Sequence, residues 1–225
     1  MITKSPIFDL ECRQCPRLSD FLDENQQQYP DYHARPVAPF GVKNPKLLIV
    51  GLAPGMHGAN ATGRPFTGDH AGILLYQTLF DTGFSSAPTS DSADDGLRLK
   101  QCRISNAVKC LPPQNKPTGE EIRTCNQFLK AELESLRRGA CVLALGTIAH
   151  AAVLRALGLK LKDYPFGHNQ LHDLPNNDLS HKKSKGLFLL DSYHCSRYNT
   201  QTRRLTTPMF QAVFARAREL VDSKG

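Results

Sequence analysis

The sequence has no long hydrophobic run. Its longest apolar stretches, Leu47-Leu48-Ile49-Val50 and Cys141-Val142-Leu143-Ala144-Leu145, fall far short of the roughly 20 residues a membrane span needs. The N-terminal Met1-Ile2-Thr3-Lys4-Ser5-Pro6 has no apolar signal core, so an intracellular, cytoplasmic location is expected. An even cysteine count is also missing: seven cysteines without a signal peptide argue against a disulfide framework, which leaves free core thiols or metal ligation. Neither a Gly-Lys-Ser/Thr phosphate loop nor a G-x-G-x-x-G dinucleotide fingerprint occurs. Acidic residues are outnumbered, 21 against 28 Lys and Arg, and the net charge of +7 suits a polyanionic partner. With 40% hydrophobic and 22% charged residues the chain is neither disordered nor fibrous, and its 225 residues (1–225) fit one domain.

What is present is four short apolar runs at wide intervals, Lys46 to Ala53, Cys102 to Cys110, Ala140 to Gly146 and Gly186 to His194. Between and after them lie helical patterns at Gly72 to Phe80, Glu120 to Leu136, Ile148 to Leu157 and Pro208 to Val221. Strands alternating with helices predict an α/β fold with a parallel sheet covered on both faces. The first 45 residues are polar and irregular apart from a helical stretch around Leu18 to Gln28, and they read as an arm docked on the core. Ser85 to Asp95 reads as a surface loop, and Lys160 to Lys185 as an insertion or small hairpin. Ligands of parallel sheets bind beyond the carboxyl ends of the strands, so Gly51, Asn106, Gly146 and His194 are expected to border one crevice.

Three constellations lie at or near those strand ends. The segment Gly51 to Asp69, GLAPGMHGANATGRPFTGD, is longer than a plain strand-to-helix connection and glycine-rich enough for its backbone to approach a ligand. Within it, Asp69 suits either a helix N-cap or a carboxylate that polarises water, and Phe66 either the core or a platform for a planar ligand. Ser192 to Asn199, with His194, Ser196, Arg197 and Asn199, leads into Arg203 and Arg204; this set suits phosphate contacts or an ordinary solvated loop. Cys12-x-x-Cys15 with Cys110 and Cys125 can hold a zinc ion or an iron–sulfur cluster, or be four unrelated thiols. Cys102, Cys141 and Cys195 read as small buried hydrophobes.

Taken together, these segments resemble the uracil-DNA glycosylase superfamily, most closely its family 5. The resemblance is carried by Gly51-Leu52-Ala53-Pro54-Gly55, His57-Gly58-Ala59-Asn60, Thr62 to Asp69, Asn106 to Pro113, Asn115-Lys116-Pro117-Thr118, and Tyr193-His194 through Asn199, Thr202 and Leu205. Nonpolar Leu52 together with Asp69 resembles family 5; family 4 has an acidic residue at the position of Leu52. In one departure, the usual His-Pro-Ser reads His194-Cys195-Ser196, which is expected to loosen the following loop.

The resemblance implies a three-layer α/β/α sandwich around a four-stranded parallel sheet. It implies a structural [4Fe-4S] cluster on Cys12, Cys15, Cys110 and Cys125. The implied activity is excision of uracil and other deaminated bases, such as hypoxanthine, from DNA by hydrolysis of the N-glycosidic bond. Asp69, Asn106 and His194 would be catalytic, and Leu52, Ala53, Pro54, Gly55, His57, Asn60 and Phe66 would receive the base. Ser196, Arg197, Asn199 and Arg203 would grip DNA, with the loop through Leu205 entering the minor groove. The expected partner is damaged DNA carrying a flipped-out base, bound by a nucleoid-associated monomer with no membrane association. The competing readings are a metal-stapled nucleic-acid-binding module without catalysis and a nucleotide or nucleoside hydrolase acting on free small molecules.

Overall fold

The computed structural model describes residues 7–175 and 185–223. Four buried strands form the centre of the sheet: β2 (Leu47–Gly51), β3 (Cys102–Asn106), β4 (Cys141–Leu145) and β6 (Lys185–Ser192). All their mutual pairings are parallel, with Leu47 beside both Cys102 and Cys141, and Cys141 beside Phe188. Two further strands, β1 (Phe40–Gly41) and β5 (Leu171–Pro175), add antiparallel edges, giving the order β1-β3-β2-β4-β6-β5. The sheet is therefore six-stranded, and the expected four strands are its parallel core. The edges escape the apolar pattern because β1 has only two residues and β5, Leu-His-Asp-Leu-Pro, carries one leucine and one polar residue on each face. Part of the expected insertion is thus a strand paired back on β6, while residues 176–184 of it lie outside the described residues.

The continuous apolar runs follow from burial on both faces. Leu47, Ile49, Leu143 and Leu190 point toward helices α3 (His70–Asp81) and α7 (Thr207–Asp222), where Leu75, Tyr76, Phe210 and Phe214 complete one core layer. Leu48, Val50, Val142, Ala144 and Leu189 point the other way, toward α4 (Gly119–Glu134) and α5 (Thr147–Ala156). The result is the three-layer α/β/α arrangement. Helix α4 opens with a capping box, Thr118 and Glu121 each satisfying the other's backbone N–H. The arm carries α1 (Pro16–Gln28), whose Leu18 joins Val108 and Phe128 in a third, smaller core beside the cysteines. Among the described residues no helix is long and apolar enough to cross a membrane.

Candidate active site

The strand ends do converge. A cavity of about 490 Å³ is bordered by Leu52 after β2, Asn106 at the end of β3, Leu145 and Gly146 after β4, and Tyr193 and His194 after β6. Of the residues proposed from sequence, Leu52, Ala53, Gly55, Phe66, Asp69, Asn106, His194, Ser196, Arg197 and Asn199 line it. Pro54, His57, Asn60 and Arg203 do not. His57 is exposed and bonded to the Tyr32 hydroxyl at 2.9 Å, and Asn60 is fully buried behind the wall.

Asp69 stands at the start of α3, yet its side chain makes no cap hydrogen bond. Instead Oδ2 accepts from the Ala59 backbone N–H at 3.3 Å, so the carboxylate is folded over the Gly-rich segment. Only glycine leaves it room. A Cβ at Gly58 would stand 2.0 Å from the Asp69 Cγ, and one at Gly55 would stand 2.4 Å from Oδ1. Burial pushes the Asp69 carboxyl above its ordinary value, against the weaker pull of that one N–H.

Phe66 belongs to the core and also lines the cavity wall. Its φ of +58° is a left-handed backbone that non-glycine residues avoid, and such strain gathers at functional sites. The neighbouring Arg64, 4% exposed, holds the segment through a two-pronged bond to the Asp95 carboxylate, with further bonds to Thr67, Ser90 and the Ala93 carbonyl. The Phe66 ring lies 5.9 Å from the imidazole of His194 at an interplanar angle of 26°.

His194 has its pKa lowered to about 4 by burial, so the imidazole is neutral at physiological pH. Its Nδ1 meets no protein partner, and neither do Asn106 Oδ1 and His70 Nδ1, although all three atoms are buried in cavity-lining residues. Three unfilled polar atoms around one cavity are what a ligand would complete. The loop after His194 is tied down despite the missing proline. Asn199 Nδ2 donates to the His194 carbonyl at 2.8 Å, Ser196 Oγ caps the short helix α6 (Arg197–Gln201), and Cys195 is fully buried in the core. Leu205 is also core, 1% exposed, and cannot enter a groove; the exposed apolar group of this loop is Tyr198, at 71%.

Arg204, read from the sequence beside Arg203 as suited to phosphate contacts, lines the cavity and lies over the Tyr193 ring at 4.8 Å. Sequence reasoning missed other wall residues. His70, Ile148 and Phe166 carry no motif, although His70 adjoins Asp69. Phe166 packs edge-on against His150, whose Nδ1 lies 2.8 Å from Asp191 Oδ1 and whose Nε2 lies 2.9 Å from the Tyr164 carbonyl.

The four arm and core cysteines, Cys12, Cys15, Cys110 and Cys125, gather around Leu18, Val108 and Phe128. Burial raises the thiols of Cys15 (to about 11), Cys110 and Cys125, and neighbouring thiols raise them further. Among the described residues only His150, His172 and Asp191 bring three candidate ligand atoms within 4.8 Å of one another. No three cysteine sulfurs form so tight a group, whereas tetrahedral zinc at Zn–S distances of about 2.3 Å would draw four sulfurs to about 3.8 Å apart.

The ends of the four parallel strands thus share one cavity in an α/β/α fold, with a buried carboxylate, a neutral imidazole and arginines along its wall. Residues 38–218 match the family model described as the uracil DNA glycosylase superfamily, and the chain belongs to that superfamily, among its type-5 members. It is 44% identical to a type-5 uracil-DNA glycosylase of Thermus thermophilus, over 93% of each chain. It is 39% identical to a type-5 enzyme of Pyrobaculum aerophilum (92% of this chain, 88% of that one) and 40% identical to one of Mycobacterium bovis (93% and 78%).

Proposed function

We propose that this protein is a DNA base-excision glycosylase that hydrolyses the N-glycosidic bond of uracil, and of other deaminated bases such as hypoxanthine. The observation that carries the reading is the pairing, across one cavity, of a neutral His194 with an Asp69 carboxylate that has a single hydrogen-bond donor. A base inside a duplex is out of reach, so the nucleotide is flipped out, at a cost of a few kcal/mol. The net charge of +7 attracts the phosphates without regard to sequence. Arg197, Arg204 and Ser196 border the mouth, and the loop through Leu205 enters the minor groove with the exposed Tyr198 as its apolar group.

The flipped base rests against Phe66, with the backbone of Leu52, Ala53 and Gly55 along its edge. When the C1′–N bond breaks, its electron pair stays on the base and positive charge develops on the sugar. His194 donates a hydrogen bond to the departing anion. Asp69 orients a water toward C1′ and accepts its proton, a task favoured by a carboxyl raised from its ordinary value. Asn106, with its free Oδ1, contacts the base or the water. The cavity of about 490 Å³ has room for a purine as well as a pyrimidine, which favours acceptance of both.

A set of four thiolates gathered between the arm and the core suits a [4Fe-4S] cluster on Cys12, Cys15, Cys110 and Cys125. The cluster would supply a staple between the arm and the core, and the catalytic groups are all elsewhere. The enzyme would act as a monomer on chromosomal DNA in the cytoplasm.

The test is a base-release assay on labelled duplexes carrying one uracil or one hypoxanthine, followed by alkali, alongside iron and sulfide analysis. Cleavage of both duplexes is expected, with about four irons per chain. Cleavage of uracil alone would narrow the substrate range. Tight binding without cleavage would favour the binding module, and one zinc per chain would remove the cluster.

A further inference from the structure

Lys109 is 2% exposed, an unusual place for an ammonium, and all three of its N–H donors are used. Nζ bonds Ser105 Oγ, the Asn106 backbone carbonyl at 3.0 Å and Glu132 Oε2 at 3.4 Å. Glu132 is fully buried and also accepts from Ser105 Oγ at 2.7 Å, while Arg103 stands 3.8 Å from its other oxygen. The backbone of Lys109 is engaged as well: its N–H donates to Cys125 Sγ at 3.3 Å and its carbonyl accepts from Val37 N–H of the arm at 2.7 Å. A single residue therefore touches the strand end that carries Asn106, the cysteine group and the arm.

Asn106 needs such support. Its side chain lies across Gly51, where a Cβ would stand 2.4 Å from Oδ1, and that Oδ1 has no hydrogen-bond partner to fix its aim. The aim is set by the backbone instead. Asn106 is the last residue of β3; past it the Ala107 and Val108 N–H groups still bond the Gly51 and Leu52 carbonyls, and the ammonium of Lys109 holds the Asn106 carbonyl itself.

We propose that Lys109 is a positioning residue that acts through Asn106. The proposal rests on the reading above, in which Asn106 contacts the base or the attacking water. A small misplacement of a contacting group costs up to about 100-fold in rate, so loss of the ammonium is expected to slow base release by about 10- to 100-fold. Ground-state affinity for DNA is expected to stay within about twofold, because Lys109 meets no ligand.

The experiment is a double-mutant cycle on the holoenzyme, measured as single-turnover uracil release, DNA affinity and iron content. Its variants are Asn106→Ala, Lys109→Met/Glu132→Gln and the triple combination. Pairing Lys109→Met with Glu132→Gln removes the ammonium without stranding a buried carboxylate, which protects the fold. The expected result is a slowed K109M/E132Q enzyme with iron intact, and no further slowing when the pair is added to Asn106→Ala. Equal slowing in both backgrounds would mean a general structural role and overturn the proposal. So would a full rate in K109M/E132Q beside a slow Asn106→Ala. Iron lost together with the rate would assign Lys109 to the cysteine group instead. A full rate in Asn106→Ala would remove the site reading itself, and the proposal with it.

Discussion

Asp69 and Asp95 both attach to the Gly-rich segment, and the fold treats them in opposite ways. Asp95 receives two guanidinium bonds from Arg64 and backbone N–H bonds from Asp91 and Leu97, and these hold its carboxyl well below the ordinary range. Asp69 receives one N–H at 3.3 Å and is otherwise desolvated, which raises it. The first carboxylate is finished as a structural strap. The second is left unfinished beside a cavity, and an unsatisfied buried group is one that can still gain from a substrate.

The largest effect expected of this contrast is on chemistry. Asp69→Asn and His194→Ala should each slow single-turnover base release by about 10³-fold, the scale of a positioned proton-transfer group or electrostatic stabiliser. Asp95→Asn should leave the rate nearly intact. Gly58→Ala should approach the Asp69→Asn phenotype without altering a functional side chain, because its methyl group occupies the space of the carboxylate. If Asp95→Asn were as slow as Asp69→Asn, the two regions would not differ in the way described.

Next in size is stability. Arg64→Ala strands Asp95 and removes the guanidinium that fastens the Phe66 segment, so unfolding free energy in urea should fall by about 3 kcal/mol, as for other broken ion pairs of low exposure. The smallest effect is on pH dependence, and its sign differs between the two carboxylates. A carboxyl raised on folding stabilises below its ordinary value and loses that contribution as pH rises through its folded value. Asp69→Asn should therefore raise the melting temperature at pH 7, with the gain disappearing near pH 4. A depressed carboxyl stabilises above its ordinary value and loses this as pH falls, so Asp95→Asn should lower the melting temperature at pH 7 and matter less in acid.

The parallel core was legible in the sequence because burial on both faces demands unbroken apolar runs, and Leu47–Gly51 and Cys141–Leu145 supply them. Edge strands are buried less completely, so Phe40–Gly41 and Leu171–Pro175 carried no comparable pattern. The strand-end rule located Asn106 and His194 before any coordinates. Phe166 and Ile148 could not be read this way, since Phe166 sits in the segment before β5 and Ile148 in the first turn of α5, and both reach the cavity through tertiary packing. Leu205 closes the loop expected at the minor groove, and its own role is to anchor it: its backbone bonds Asn199 and its side chain joins Phe210 in the core.

The strand order also governs how the molecule can come into being. Leu47 pairs with Cys102 on one side and Cys141 on the other, so the earliest-made core strand has no neighbour until much of the chain has been synthesised. Such non-local parallel pairing is slow to form, since loop closure precedes any gain from contact. Residues from Leu52 to Arg204 share the cavity, and no fragment that ends before β6 contains it. Base release is therefore a reporter of completed folding: a refolding experiment should show activity returning in step with the last tertiary phase and never ahead of it.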